Sequence, residues 1–124
     1  MGCVFCELPE NEPEKILDEN GHGYIIAPLG CDDGSRLLVI PRHHAESFRG
    51  MVHGAPAIMR LCDTASEMVR EAAGGGSVSV SLNHGPDAGQ TVPHFHFWVI
   101  ARPAGEPASR KGMAKLLDEA NAQT

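Results

Sequence analysis

The sequence has no run of basic residues, and its formal net charge is -6. Duplex nucleic acid and anionic membranes are therefore poor candidates for its main partner. A small phosphate ligand stays open, because a few backbone amides can hold one. The chain also lacks an apolar run of the roughly 18 residues that a membrane-spanning helix needs. Its start, Met1 to Cys6, has neither the basic opening nor the apolar stretch of a signal peptide, so a cytoplasmic location is expected. Internal repeats and low-complexity tracts are absent. In that setting the four cysteines are expected as thiols or metal ligands rather than disulfides.

What is present suits one domain over residues 1-124, with 42% hydrophobic residues. A core this small gains from a metal or a second copy of the chain. "KILDENGHGYIIAPLG" reads as a short strand, a turn at Asn20-Gly21 and a second strand ending near Pro28. "CDDGS" is a turn-rich loop, and "RLLVIP" is a buried strand closed by Pro41. Ile58, Leu61, Cys62, Ala65, Met68, Val69 and Ala72 recur at helical spacing, which predicts a helix from Ala55 to Ala73 stopped by Gly74. "SVSVSL" alternates as a half-buried strand does, "NHGPDAGQ" is a loop, and His94 to Arg102 is the last strand. "SRKGMAKLLDEANAQ" is expected as a short C-terminal helix. Short connections between strands favour an α+β fold: an antiparallel sheet of about five strands with helices on one side.

The segment "GQTVPHFHFWVI" carries the chemistry. Strand alternation puts His94, His96 and Trp98 on one face and Phe95, Phe97 and Val99 on the other, where they suit a core. Same-face neighbours stand about 6.8 Å apart, so both imidazoles can address one phosphate-sized group. A neutral imidazole is a competent nucleophile near pH 7. Asn83, Gly85, Gly89, Gln90 and Thr91 supply short polar groups and flexible backbone in the preceding loop. Two histidines on a strand face are nonetheless more often solvated or hydrogen-bonded than catalytic. At the other end of the chain, Cys3 and Cys6 form C-x-x-C, which is half of a zinc site or a redox pair. His43, His44, His94, Cys31 and Cys62 are candidates to complete a metal site.

"NHGPDAGQTVPHFHFWVIAR" resembles the signature of the histidine triad superfamily of nucleotide hydrolases and transferases, and "LLVIPRHHAESF" and "CVFCEL" resemble two further segments of it. The resemblance covers most of the chain. It implies hydrolysis at the α-phosphate of a nucleoside phosphoramidate or dinucleoside polyphosphate, through a nucleotidyl-histidine intermediate on His96. It implies a catalytic role for His94 as the first triad histidine and contacts to the phosphate or leaving group from Asn83, Gln90 and Thr91. It also implies a purine nucleotide as substrate, a homodimer, and a structural zinc held by Cys3, Cys6, His44 and His94. Asp32 and Asp33 stand near the family's ribose-binding position but read first as turn formers. The departure is Trp98, where the family usually has a third histidine. An indole N-H can donate a hydrogen bond but cannot deliver a proton as an acid does. Trp98 is therefore open to two readings, a residue that contacts the substrate or a packing residue. It also motivates a second function, a nucleotide-binding protein with weak or no turnover. A zinc-stabilised scaffold without a nucleotide site is the third.

Overall fold

The computed structural model describes residues 2-105; the C-terminal helix expected from the sequence lies outside them. Five strands form one antiparallel sheet in the order β1-β2-β3-β5-β4. They are β1 (Asp18–Asn20), β2 (Gly23–Ile26), β3 (Arg36–Pro41), β4 (Ser77–Ser81) and β5 (Phe97–Arg102). The helices are α1 (Val4–Asn11), the single turn α2 (Phe48–Met51) and α3 (Ala55–Ala72). The α+β architecture expected from the short connections is the one observed. Among the described residues no helix is long and apolar enough to cross a membrane.

Each face of the sheet has its own core, because side chains alternate along every strand. Ile25, Leu37, Val39, Phe95 and Val99 point to one face, where Ile58, Leu61, Ala65 and Val69 of α3 cover them. These α3 residues recur at spacings of three and four, so one stripe of the helix reaches the sheet. Pro56 at the start fits a position whose N-H has no helical partner. At the far end Gly74 and Gly75 take positive φ, and their N-H groups close on Glu71 O and Arg70 O.

On the opposite face Tyr24, Ile26, Leu38, Ile40, Trp98 and Ile100 pack with Phe5 and Leu8 of α1. Helices therefore lie on both faces, not on one as the sequence suggested. α1 was not expected from the sequence, because Pro9 interrupts a helical pattern whose buried residues are Phe5 and Leu8. Edge strand β4 is less covered: Val80 is 48% exposed, although its alternation with serine predicts an inward face.

α3 lies so close to β2 that position 23 admits only glycine. A Cβ there would stand 2.7 Å from Ile58 Cδ1, 2.9 Å from Leu61 Cδ1 and 2.9 Å from the Ile40 carbonyl oxygen. The carbonyl belongs to the neighbouring strand and cannot turn away. Gly23→Ala is expected to cost about 1-3 kcal/mol of stability. Urea denaturation would show it as a lower midpoint; an unchanged midpoint would mean that helix and sheet are further apart than described.

Candidate functional site

β5 begins at Phe97, three residues later than expected. Pro93 cannot donate to a ladder, and the Phe95 N-H bonds to Ala45 O at 2.7 Å instead of to a strand partner. His94 to His96 thus form an approach to the strand, pinned to the segment after β3. The alternation nevertheless continues through it. Phe95 and Val99 are fully buried on the α3 side, and His94, His96 and Trp98 share the α1 side.

Both imidazoles are buried, His94 at 0% and His96 at 5% exposure. Burial lowers the pKa of each below its ordinary 6.5, so both favour the neutral form. Their backbone bonds then set the tautomers. His96 Nδ1 donates to His94 O at 2.8 Å. In the neutral ring this leaves Nε2 as the unprotonated nitrogen. His94 is reversed: its Nε2 donates to Pro41 O at 2.7 Å, and its Nδ1 carries the free lone pair. Two residues of one type, two apart, are thereby prepared for different work.

The lone pair of His94 Nδ1 faces three other donors. Cys3 Sγ lies 3.2 Å away, Cys6 Sγ 3.5 Å and His44 Nδ1 3.2 Å. Cys6 Sγ also lies 3.3 Å from His44 Nδ1. The four donor atoms fall within 4.8 Å of one another, a grouping compatible with a metal site. Of the candidates taken from the sequence, Cys31, Cys62 and His43 are not in this group. Burial and the adjacent Cys3 push the Cys6 thiol up to about 11. A bound cation would reverse that preference, because the thiolate is the ligand form. His44 Nε2 lies 3.2 Å from Glu46 Oε2, and His94 Nε2 is held by the Pro41 carbonyl. Each ring therefore has the outer partner that fixes a metal-binding imidazole. Neither Glu46 nor the Pro41 carbonyl was expected as a partner of these rings; the signal for Glu46 is a carboxylate two residues after His44.

The loop before His94 is shaped partly by its own side chains. Gln90 Oε1 accepts from Gly85 N at 2.7 Å, and its Nε2 donates to Val92 O at 3.0 Å. Gln90, expected as a substrate contact, is thus engaged in holding the loop. Asn83 is half-buried and Thr91 is exposed. Trp98 is fully buried in the second core, which is the packing alternative, and its Nε1-H has no hydrogen-bond partner. Its ring centroid stands 6.3 Å from that of His96.

A cavity of about 440 Å³ opens between α1, the end of β2 and the loop after it. Val4, Phe5, Leu8, Ile26, Leu38 and Val92 supply apolar wall, and Asp32 and Lys15 are among its polar lining. Asp33 is the turn former: its Oδ1 accepts from Ser35 N at 3.0 Å and Ser35 Oγ at 2.7 Å. Phe5 joins cavity to histidines, with its ring centroid 5.8 Å from that of His94 and 5.1 Å from that of His96. Nothing in the sequence reading identified Phe5, since its contacts depend on a helix that was not expected.

A five-stranded antiparallel sheet backed by one long helix, with a His-x-His pair entering its fifth strand, defines a histidine-triad type of domain. The chain belongs to the HIT domain family, whose model matches residues 11–105. It is 28% identical over 110 residues to an uncharacterised HIT-like protein of Methanocaldococcus jannaschii, covering 84% of this chain and 81% of that one. It is 29% identical over 108 residues to the adenosine 5'-monophosphoramidase hnt1 of Schizosaccharomyces pombe, covering 86% and 78%. Among solved structures it shares the fold of part of the C. elegans NitFhit protein, with a TM-score of 0.67 and 22% identity. That match covers 89% of this chain but 26% of the NitFhit chain.

Proposed function

We propose that this protein is a nucleotide hydrolase that acts on the α-phosphate of a purine nucleoside phosphoramidate or dinucleoside polyphosphate through His96. The observation that carries the reading is the His96 Nδ1-H bond to His94 O, which leaves Nε2 with a free lone pair. Attack by Nε2 forms the N-P bond while the bond to the leaving group breaks; the leaving group takes the electron pair, a phosphate departing as its anion and an amine taking up a proton from solvent. Water then attacks phosphorus and gives its proton to solvent, the N-P bond breaks with its electron pair returning to Nε2, and neutral His96 and the nucleoside monophosphate are released. The similarity to the S. pombe monophosphoramidase supports the substrate class. The cavity beside Phe5 has the size and apolar lining to take a nucleoside, with Asp32 on its border. Asn83, Gln90 and Thr91 are the loop side chains proposed to meet the phosphate, and backbone amides share the growing charge. Acid quenching early in turnover with radiolabelled substrate should leave nucleotide on His96. Turnover with no label on His96 would remove the covalent mechanism.

A second reading, nucleotide binding with weak or no turnover, is favoured by Trp98. It is buried and cannot serve as the acid for a leaving group. Tight binding of nucleoside monophosphates without hydrolysis of either substrate class would select it.

Zinc is the metal proposed for Cys3, Cys6, His44 and His94. Tetrahedral zinc, with bonds of about 2.3 Å to sulfur and 2.05 Å to nitrogen, sets its ligands about 3.3 Å (N to N) and 3.5 Å (S to N) apart. The two nitrogens here are 3.2 Å apart, three of the four sulfur-nitrogen separations are 3.2, 3.3 and 3.5 Å, and all four donor atoms lie within 4.8 Å of one another. Four protein ligands make a closed site, which contributes folding energy rather than catalysis. Purified protein is expected to contain about one zinc per chain, and Cys3→Ser/Cys6→Ser to contain none. Elemental analysis decides, and equal zinc in both proteins would exclude the site. A homodimer through α3 and β4 is also proposed, since Met59 and Val80 leave apolar surface exposed there. A cytoplasmic location remains part of the same reading.

A further inference from the structure

α1 has little to hold it in place by itself. It has eight residues, contains Pro9, and its N-cap residue Cys3 makes no side-chain capping bond. A helix of that length is unstable in water without tertiary support. Its support comes from three sources. Phe5 and Leu8 are buried in the second core. The Tyr24 hydroxyl donates to Phe5 O. Cys3 and Cys6, on either side of Phe5, bring their sulfurs to the nitrogens of His44 and His94. The same short helix supplies Val4, Phe5 and Leu8 to the cavity wall, and its Phe5 ring meets the His96 ring.

We propose that Cys3 and Cys6 are positioning residues for the nucleotide cavity. The metal they share with His44 and His94 fastens α1 over that cavity, so nucleotide affinity depends on the metal. This inference rests on the reading of the cavity as the nucleoside site and of the cysteine-histidine cluster as a zinc site. It gives the cluster a role beyond local structure. His44 follows β3 and His94 precedes β5, so the metal ties the N-terminal helix to two adjacent inner strands of the sheet. Removing it is expected to leave the α3 side of the sheet in place, because that core is built by Ile58, Leu61, Ala65 and Val69 of α3 against strand residues and by none of the four ligands.

The experiment compares AMP binding by zinc-loaded and chelator-treated wild-type protein, with hydrogen exchange followed in the same samples. Loss of one large apolar side chain's contact corresponds to about ten- to a hundredfold in affinity, so the AMP Kd is expected to rise by that factor on zinc removal. Exchange should rise over residues 4–11 while the amides of β2, β3 and β5 keep their protection. Added zinc should restore both in the wild type and neither in Cys3→Ser/Cys6→Ser. AMP binding that is indifferent to zinc would overturn the inference, as would α1 exchange that does not change. Loss of protection throughout the sheet would overturn it too, since the metal would then support the whole fold. Failure of the zinc-loaded protein to bind AMP at all would instead bring down the nucleotide reading, and this inference with it.

Discussion

His96→Ala is expected to lower kcat by on the order of 10⁴-fold or more, as removal of a nucleophile does in covalent catalysis. The ring contributes one nitrogen that no neighbouring group replaces. His94 cannot stand in for it, because its Nε2 is bonded to Pro41 O and its Nδ1 faces the cysteines. The fold should survive, since His96 lies at the edge of the second core beside Phe5 and Trp98 rather than between sheet and α3. AMP affinity should change far less than kcat, which separates loss of chemistry from loss of binding. His94→Ala should behave differently: it removes a ligand from the cysteine cluster and the ring against Phe5, so zinc content and AMP affinity fall together with turnover. Steady-state kinetics, elemental analysis and AMP titration on the two variants test this contrast. An active His96→Ala would end the covalent reading.

The sequence made some of this arrangement legible because it depends on periodicity. "RLLVIP" became β3 with its predicted limits, and α3 ended one residue before its predicted end, because apolar spacing and glycine stops are local signals. The split of Phe95 and Val99 from His94, His96 and Trp98 followed from strand alternation and persisted even where the ladder had not begun. What stayed hidden depends on distant partners. No local rule says that Phe95 N-H bonds to Ala45 O, so the start of β5 was placed too early. α1 forms where an N-terminal segment finds the exposed back of the sheet, and Phe5 meets the histidines only as a result. Gln90 is named as a ligand contact by its type and place, and the bridge its amide makes between Gly85 and Val92 is what the fold adds. The four proposed metal ligands were named by resemblance, and the distances among their donor atoms are what the fold adds.

Trp98→Ala is expected to destabilise the protein by about 3-5 kcal/mol, the range for truncating a large buried aromatic. The ring is fully buried among Leu38, Ile40 and Ile100 on the α1 face, and β5 is an inner strand, so the void has little room to collapse. Its unpartnered Nε1-H works against it, since an unsatisfied buried donor costs about 1-3 kcal/mol. Trp98→Phe removes that donor while keeping a ring, and it should lose much less stability than Trp98→Ala. Guanidinium denaturation of the two variants gives both differences; a loss below about 1 kcal/mol for Trp98→Ala would place the indole outside the packed core. Trp98→His then separates packing from chemistry. An amine leaving group must gain a proton to depart, whereas a phosphate oxygen can leave as an anion. If the missing acid limits this protein, Trp98→His should raise turnover of a nucleoside phosphoramidate more than that of a dinucleoside polyphosphate, despite lower stability. Equal changes with both substrates would mean that Trp98 matters here only as core, and that leaving-group protonation does not limit the reaction.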